Sequence, residues 1–391
     1  MATRLGVAVV AAGLLSTAGC SGSSSSSSSS SHPSSSPSSA TTSASSSASA
    51  SNSALSVKQI VLGTTLKHSF QPNGKGAATS EALSQPDDIV PLGGNIYVGF
   101  QNGVGSQGEV STSGNLDSTL VEFTPSGSVV SQWDVTGKID GMGAGSGQVF
   151  ATVNEDLKSS LYTVSGGTVT HYTYPSLPHL GGTDAVAVYN GKILISASAP
   201  GTDGKAPASA PAVYAVTLNA GAKTAAVAPF FADNATATGV NGSNSGKKVT
   251  LALTDPDSNA VVPSTSPKFG GDFVLNSQGD EELIFSGASG NSLQVLKLSN
   301  SVDDIAWATS ATGTLYTTDA SSNTVDTITG TFTPGTLYTA VTPCNLNSAP
   351  STCPAPGYPA NSLGTIDLTT GKIGAVTTSG GVMPKGMIFV P

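Results

Sequence analysis

Residues 302–325 read VDDIAWATSATGTLYTTDASSNTV: two carboxylates, a short apolar run, a polar step, then a second run built on Thr and Tyr. Apolar residues recur over about four to eight positions and are then cut off by Gly, Asn, Asp or Ser, which is the period and punctuation of strands. The same phrase returns along the chain. PDDIVPLGGNIYVGF starts at Pro86, IDGMGAGSGQVFATV at Ile139 and TDAVAVYNGKILISAS at Thr183; a degenerate copy starts near Asp233 and runs into KKVTLALTD, and the chain closes on MPKGMIFVP. A second phrase alternates with it, a strand, a glycine turn and a returning strand: STLVEFTPSGSVVSQW, SLYTVSGGTVTHYTY, DFVLNSQGDEELIF and LGTIDLTTGKIGAV. Helical periodicity is nearly absent, so the chain reads as all-β.

One phrase of each kind gives four antiparallel strands in about 45 to 70 residues, the content of one propeller blade. The expectation is a six-bladed β-propeller of four-stranded antiparallel blades, or seven-bladed if residues 334–380 form a sheet of their own. An open seam would leave strand edges exposed. The final GMIFV lacks a following hairpin and VKQIVLGTTLKHSF at 57–70 lacks a preceding acid-led strand, so pairing of these terminal strands is expected to close the ring.

DDIAWATSATGTLYTTDASSNTVDTI resembles the repeats of NHL-type and YVTN-type β-propellers. LGTIDLTTGKIGAVTTSGGVMPKGMIFVP resembles the way their blades finish, with an acid-led TGK turn and a Pro-x-Gly step into the next inner strand. The likeness is clear over 302–330 and 363–390, fair over 86–200 and poor over 233–300. It implies a fold and no particular activity.

The first twenty residues, MATRLGVAVVAAGLLSTAGC, carry one charge at Arg4, an apolar run from Leu5 to Leu15 and small residues before Cys20. That is a secretory signal, too short for a permanent membrane span. Its ending, STAGC, resembles the lipobox of bacterial lipoproteins, with Thr17 where Leu is commoner. The resemblance implies lipidation of Cys20 and a protein held on the outer face of the cell membrane; the alternative is a secreted chain that loses Cys20 with its signal. Residues 21–53 are almost entirely Ser, Ala, Thr and Pro without charge. Such a tract cannot offset the entropy of ordering and reads as a disordered tether, reaching roughly 30 Å as a flexible chain. Residues 54–391 then form the propeller domain.

Three cysteines in an exported chain leave one to be explained separately, and Cys20 is that one. Cys344 and Cys353 enclose a polar loop and are expected to form a disulfide, as oxidising compartments favour. Only 10% of residues are charged and the formal net charge is −9. That balance argues against nucleic-acid partners and against electrostatic docking to anionic lipid.

Asp88, Asp140, Asp184 and Asp304 fall at what look like corresponding points just ahead of the innermost strands, so all should approach one mouth of the central channel. Two readings compete. A ring of carboxylates can bind a divalent cation or a cationic ligand through oxygen, as propeller-fold sugar-lactone hydrolases do with acidic and amide side chains. Alternatively each Asp caps the turn into its strand by accepting backbone N–H bonds. Repetition favours the second, because a folding rule recurs in every blade whereas a function needs one site. Asp87 and Asp303 then stand out as acids that break the repeat, and Trp307, further along the same strand as Asp303, is placed to line the channel and stack on a ligand.

The remaining motifs carry less. DPDSNA at 255–260 starts like a calcium loop, but Ala260 and Ser266 stand where Gly and Glu are required, leaving a solvated turn. His32, His68, His171 and His179 fall in no nucleophile or zinc motif. Tyr97, Phe150, Tyr316 and Tyr338 are expected to pack between blades. The leading functional expectation is a non-catalytic module that binds a protein, glycan or small ligand across one propeller face. A metal-dependent hydrolase or lyase at the acid-lined mouth is its rival, a wall-spacing protein a third reading. No cofactor is expected beyond a divalent cation at that mouth.

Overall fold

A computed structural model describes residues 54–177, 182–198, 209–342 and 362–391. Cys20 with its signal, the Ser-rich tether, His32, His179 and the Cys344–Cys353 pair lie outside the described residues. Asn52–Pro391 is one compact unit, all-β, and no helix among the described residues is long and apolar enough to cross a membrane.

The chain opens with β1 (Ser56–Leu62) and the small hairpin of β2 (Lys67–Phe70) and β3 (Thr79–Ala82). A first four-stranded meander follows, β4 (Pro86–Leu92), β5 (Asn95–Phe100), β6 (Asp117–Phe123) and β7 (Val129–Thr136). Two more are β8 (Ile139–Gly145), β9 (Gln148–Val153), β10 (Ser160–Ser165), β11 (Thr168–Thr173), and β12 (Val186–Tyr189), β13 (Lys192–Ser196), β14 (Pro211–Asn219), β15 (Thr224–Ala232). They share one eight-stranded sheet only through a parallel pair, Thr173 with Thr224, between their outermost strands. The Asn190-Gly191 loop joins β12 to β13 with both residues at positive φ, the tight turn whose twist suits a hairpin.

The fourth sheet is wider. β18 (Pro256–Val261), β19 (Phe273–Ser277), β20 (Glu282–Ser286) and β21 (Leu293–Lys297) run antiparallel, and β16 (Thr236–Gly239) with β17 (Lys248–Thr250) adds to its outer edge, β16 parallel to β21. Its innermost strand is therefore PDSNAV, not the segment near Asp233, and the expected solvated turn at 255–260 is, from Pro256 on, a channel strand.

The last two sheets are interleaved. β22 (Val302–Trp307) leads a sheet completed by β25 (Leu337–Val341), β26 (Ser362–Ile366) and β27 (Ile373–Ala375), so residues 334–380 supply its outer strands. Between β22 and β25 the chain leaves to build β23 (Thr314–Asp319) and β24 (Thr324–Thr329) in the neighbouring sheet, where β28 (Met387–Val390) is innermost and β1 outermost. The expected direct pairing of the terminal strands is thus corrected: β28 pairs with β23 and β1 with β24. The ends close one sheet by clasping a hairpin from both sides. The hairpin binds both because its two long edges are each free to accept a strand.

The six strands β4, β8, β12, β18, β22 and β28 pack each against the next and the last against the first. Six hydrophobic clusters lie between them, each drawing side chains from two adjacent sheets; Phe150 and Leu161 meet Tyr214 in one, Phe285 and Leu296 meet Trp307 and Leu337 in another. Tyr97, Phe150, Tyr316 and Tyr338 are all buried in these clusters, as expected. Meanders packed face to face around an axis make the domain a β-propeller.

Backbones come closest at the axis. A Cβ on Gly386 would overlap the Asp87 carbonyl oxygen, and one on Gly141 the Asp184 carbonyl. Backbone cannot yield as a side-chain tip can, so Gly386→Ala is expected to lower stability by about 1–3 kcal/mol, read as a shift in the urea unfolding midpoint at unchanged slope. An unchanged midpoint would show that the ring opens freely at this seam.

Candidate functional site

Each innermost strand carries an irregularity at the same place. Pairing slips between Pro86 and Ile89, Ile139 and Met142, Pro256 and Asn259, and Val302 and Ile305, so two residues stand opposite one. Asp184 and Ala185 likewise share Ser196, and Lys385 and Gly386 share Thr318. Such bulges re-aim side chains. Here they turn Asp87, Asp140, Asp184, Asp257, Asp303 and Lys385, the first residue of each bulge, toward one cavity on the axis.

That register corrects the sequence alignment by one residue. Asp87 and Asp303, not Asp88 and Asp304, correspond to Asp140 and Asp184. Asp88 and Asp304 hold the second bulge position, where the other strands carry Gly141, Ala185, Ser258 and Gly386. Their role is visible in their partners. Asp88 accepts the N–H of Ile89 at 2.7 Å and that of Met142 on the next strand at 2.5 Å. Asp304 repeats this with Ile305 at 2.7 Å and Met387 at 2.5 Å. Both are straps across a seam, the backbone-capping role that repetition favoured.

The other seams are tied from the second strands. Thr152 donates to the Asp184 carbonyl at 2.8 Å, Ser196 to that of Asp257 at 2.7 Å, Asn276 to that of Asp303 at 2.9 Å, and Thr318 to that of Asp87. Gln101 reaches the Ile139 carbonyl and both the Asp87 and Asp140 carboxylates. The ring is held through its backbone, which leaves its side chains for the cavity.

The cavity measures about 420 Å³, within the range of small-molecule sites. Asp87, Asp88, Asp140, Glu155, Asp184, Asp257, Asp303 and Asp304 line it with one cation, Lys385. Farther along the strands the wall is apolar, with Ile89, Met142, Val186, Ile305 and Met387, and Trp307 lies in it as well. All seven residues singled out from the sequence as ligand-binding candidates therefore line one cavity.

Charge is distributed unevenly around the ring. Lys385 Nζ stands 2.8 Å from Asp87 and 3.5 Å from Asp303, its two neighbours. Lys138 reaches in to Asp140 and Glu155, each at 2.6 Å. On the side opposite Lys385, Asp184 and Asp257 have no ion-pair partner among the described residues. Burial pushes the Asp88, Asp140 and Asp303 carboxyls up to about 7. Burial and then neighbouring carboxylates hold Asp184 and Asp257 well above the ordinary range, and Asp304 likewise. Burial pushes the Lys385 ammonium down to about 8, against the pull of its two carboxylates. Burial also opposes the Lys138 charge, but Asp140 and Glu155 outweigh it and raise the group.

Among the described residues no three His, Cys, Asp or Glu side chains converge closely enough to hold a metal ion. Six bulges spread the carboxylates around a circumference instead of gathering them. The histidines lie elsewhere. His68 is buried between Glu81 at 3.2 Å and Asp134 at 3.4 Å, and His171 is exposed and stacks on Tyr162.

Asp257, Lys385, Glu155 and Gln101 escaped the sequence reading. A signal for two of them was present: Pro86-Asp87, Pro256-Asp257 and Pro384-Lys385 each set a proline directly before the ring residue. Glu155 and Gln101 follow the ends of second strands and reach the axis only through the fold.

No protein-family model matches the chain, and no curated protein matches it in sequence. The NHL-type and YVTN-type likeness therefore remains one of strand and turn pattern. Among solved structures, the chain is similar to a protein of unknown function from Bacteroides caccae, at 10% identity over 86% of this chain and 99% of that one, TM-score 0.44. A functionally unknown protein from Desulfotomaculum acetoxidans matches at 12% identity over 86% and 99%, TM-score 0.42. Virginiamycin B lyase from Staphylococcus aureus, in an inactive variant with quinupristin, matches at 11% identity over 65% and 71%, TM-score 0.35.

Proposed function

We propose that this chain is a six-bladed β-propeller acting as a lipid-anchored, extracytoplasmic binding module, with a small-ligand site in its axial cavity. The count of six rests on the six innermost strands and six seams. The observation that carries the binding reading is the cavity itself: an open-mouthed space on the axis in which an acidic ring meets an apolar wall, with its carboxylates held by their backbones.

Trp307 reports on that space. In Trp133→Phe it is the sole tryptophan, since the chain has two, and titration with small aromatic ammonium, alcohol and carboxylate compounds is expected to shift its emission saturably for at least one class. A folded variant indifferent to all three would overturn the reading.

Anchoring rests on the signal sequence and Cys20. Cys20→Ala, expressed in a bacterial host, is expected to move the protein out of the membrane fraction, because one or two acyl chains supply the membrane affinity. Unchanged membrane retention of the variant would remove the lipid anchor from the proposal.

A further inference from the structure

The strongest feature beyond the binding reading is a set of buried polar atoms left without partners around the cavity. Asp140 Oδ2, Asp257 Oδ2 and Asn259 Oδ1 are buried acceptors with no donor among the described residues, and Trp307 Nε1 is a buried donor with no acceptor. All four residues line the same space. Trp307 is only 5% exposed, and the Asp140 side chain is likewise 5% exposed. Buried polar groups in folded proteins are almost always satisfied, and an exception in a cavity calls for a partner that enters it.

Their chemistry and placement are not uniform. The lone acceptors stand on β8 and β18, flanking Asp184 just ahead of β12 between them, the arc of the ring that Lys385 does not reach. The lone donor sits four residues beyond Asp303, roughly 13 Å along the strand at the ordinary rise. Between the two lies the apolar wall of Ile89, Met142, Val186, Ile305 and Met387.

Resting on the binding reading above, we infer that the ligand is a small organic ammonium with an apolar body and a hydrogen-bond acceptor at its far end. Its N–H groups face Asp140, Asp184 and Asp257, its body lies on the apolar wall, and its acceptor meets the Trp307 indole N–H. An ammonium suits these acceptors better than a metal ion does, because its three donors point apart whereas a metal draws its ligands together. Lys385 between Asp87 and Asp303, and Lys138 on Asp140, show the ring accepting ammonium groups already; the ligand supplies one to Asp184 and Asp257, which have none among the described residues. Acidic residues concentrated in a low-dielectric site also raise the local concentration of cations at its mouth.

The test uses the full propeller as Trp133→Phe at pH 8, with 4-methoxyphenethylammonium as the probe. Its neutral and anionic analogues are 2-(4-methoxyphenyl)ethanol and 3-(4-methoxyphenyl)propionate, and calcium chloride is run alone. The ammonium is expected to bind at least tenfold more tightly than the alcohol, with the carboxylate silent. Removing the methoxy group is expected to weaken binding several-fold and to abolish the change in Trp307 emission wavelength. Asp257→Asn and Asp184→Asn are each expected to cost the ammonium at least tenfold and the alcohol much less, with a cooperative melt of each variant showing that it is folded. Alcohol or carboxylate binding as tight as the ammonium would overturn this inference and leave the binding reading standing. A calcium response with no ammonium response would overturn it in favour of a metal, and silence from every probe would take the binding reading with it.

Discussion

A chain ending at Pro384 is expected to lose cooperative folding. The deleted residues carry Lys385 and β28, the innermost strand of the closing sheet. Met387, 3% exposed, packs in the cluster that joins this sheet to the β22 sheet, with Phe389 against its edge and Phe332 meeting that ring edge-on at 5.0 Å. Ile388 and Val390 pack against the seam with the β4 sheet. Burial of a fully buried side chain of this size is worth about 1.5–3 kcal/mol, so one buried and three partly buried chains remove about 4–7 kcal/mol. The loss spreads further. Asp304 forfeits the Met387 N–H and keeps its desolvated carboxyl, Asp87 and Asp303 forfeit Lys385, and β23 acquires an unpaired inner edge open to aggregation. Against a typical total of about 5–15 kcal/mol, the ring should not survive. Circular dichroism melting is expected to show no sigmoidal transition at 37 °C or above; a cooperative melt within a few degrees of the full chain would show that five sheets stand without the clasp.

That expectation was partly legible in the sequence, and the reasons for its partial failure are physical. Acid-led inner strands at Pro86, Ile139 and Thr183 were readable because Gly93-Gly94, Ser146-Gly147 and Asn190-Gly191 end them with tight turns that admit only a hairpin. The step at 308–313 carries no such turn, and a polar loop of that length suits a hairpin and a crossing to the next sheet equally well. The β22–β23 run was therefore read as one sheet when it spans two. A bulge is also invisible to counting. Asp87-Asp88 and Asp303-Asp304 present two acids where Ile139-Asp140-Gly141 presents one, and without the register the eye aligns on the acid nearest the apolar run. The sixth position was hidden for another reason: Lys385 inverts the charge while keeping the place, so a search for carboxylates passes over it. Asp257 was hidden by its setting, since Pro, Asp, Ser and Asn in a row carry turn propensity that tertiary packing against β19 and β22 overrides.

Acidification from pH 8 to pH 5.5 is expected to stabilise this protein, the reverse of what paired surface carboxylates do. The Asp88, Asp140 and Asp303 carboxyls sit at about 7 in the fold because burial disfavours their charged forms, against about 4 in an unfolded chain. Between those values the folded state binds more protons than the unfolded state, so stability falls as pH rises. The stabilisation is fully present near pH 4, erodes from there upward, and is gone above about 7. Asp255, at about 6, and Glu282, at about 7, act with the same sign. So does His68, whose raised value confers stability that is lost as pH climbs through it. Lys385, lowered to about 8, is partly deprotonated in the fold only toward the top of the window, where it opposes the trend weakly. Each tenfold change in proton affinity is worth about 1.4 kcal/mol, but the ring acids titrate jointly. The net gain at pH 5.5 is expected to be on the order of 3–6 kcal/mol, a rise of about 4–8 °C in melting midpoint for a domain of this size. Asp257→Asn tests the cause. Its amide keeps the shape and removes one ionisation beside Asp184, so at pH 8 the variant should melt higher than the native chain, and the difference should vanish by pH 5.5. That combination, greater stability with loss of ammonium binding, is the signature of a site whose charges are retained for a ligand at the expense of the fold. A native melting midpoint higher at pH 8 than at pH 5.5, or a variant less stable at pH 8, would mean that the ring acids are compensated inside the fold and await no partner.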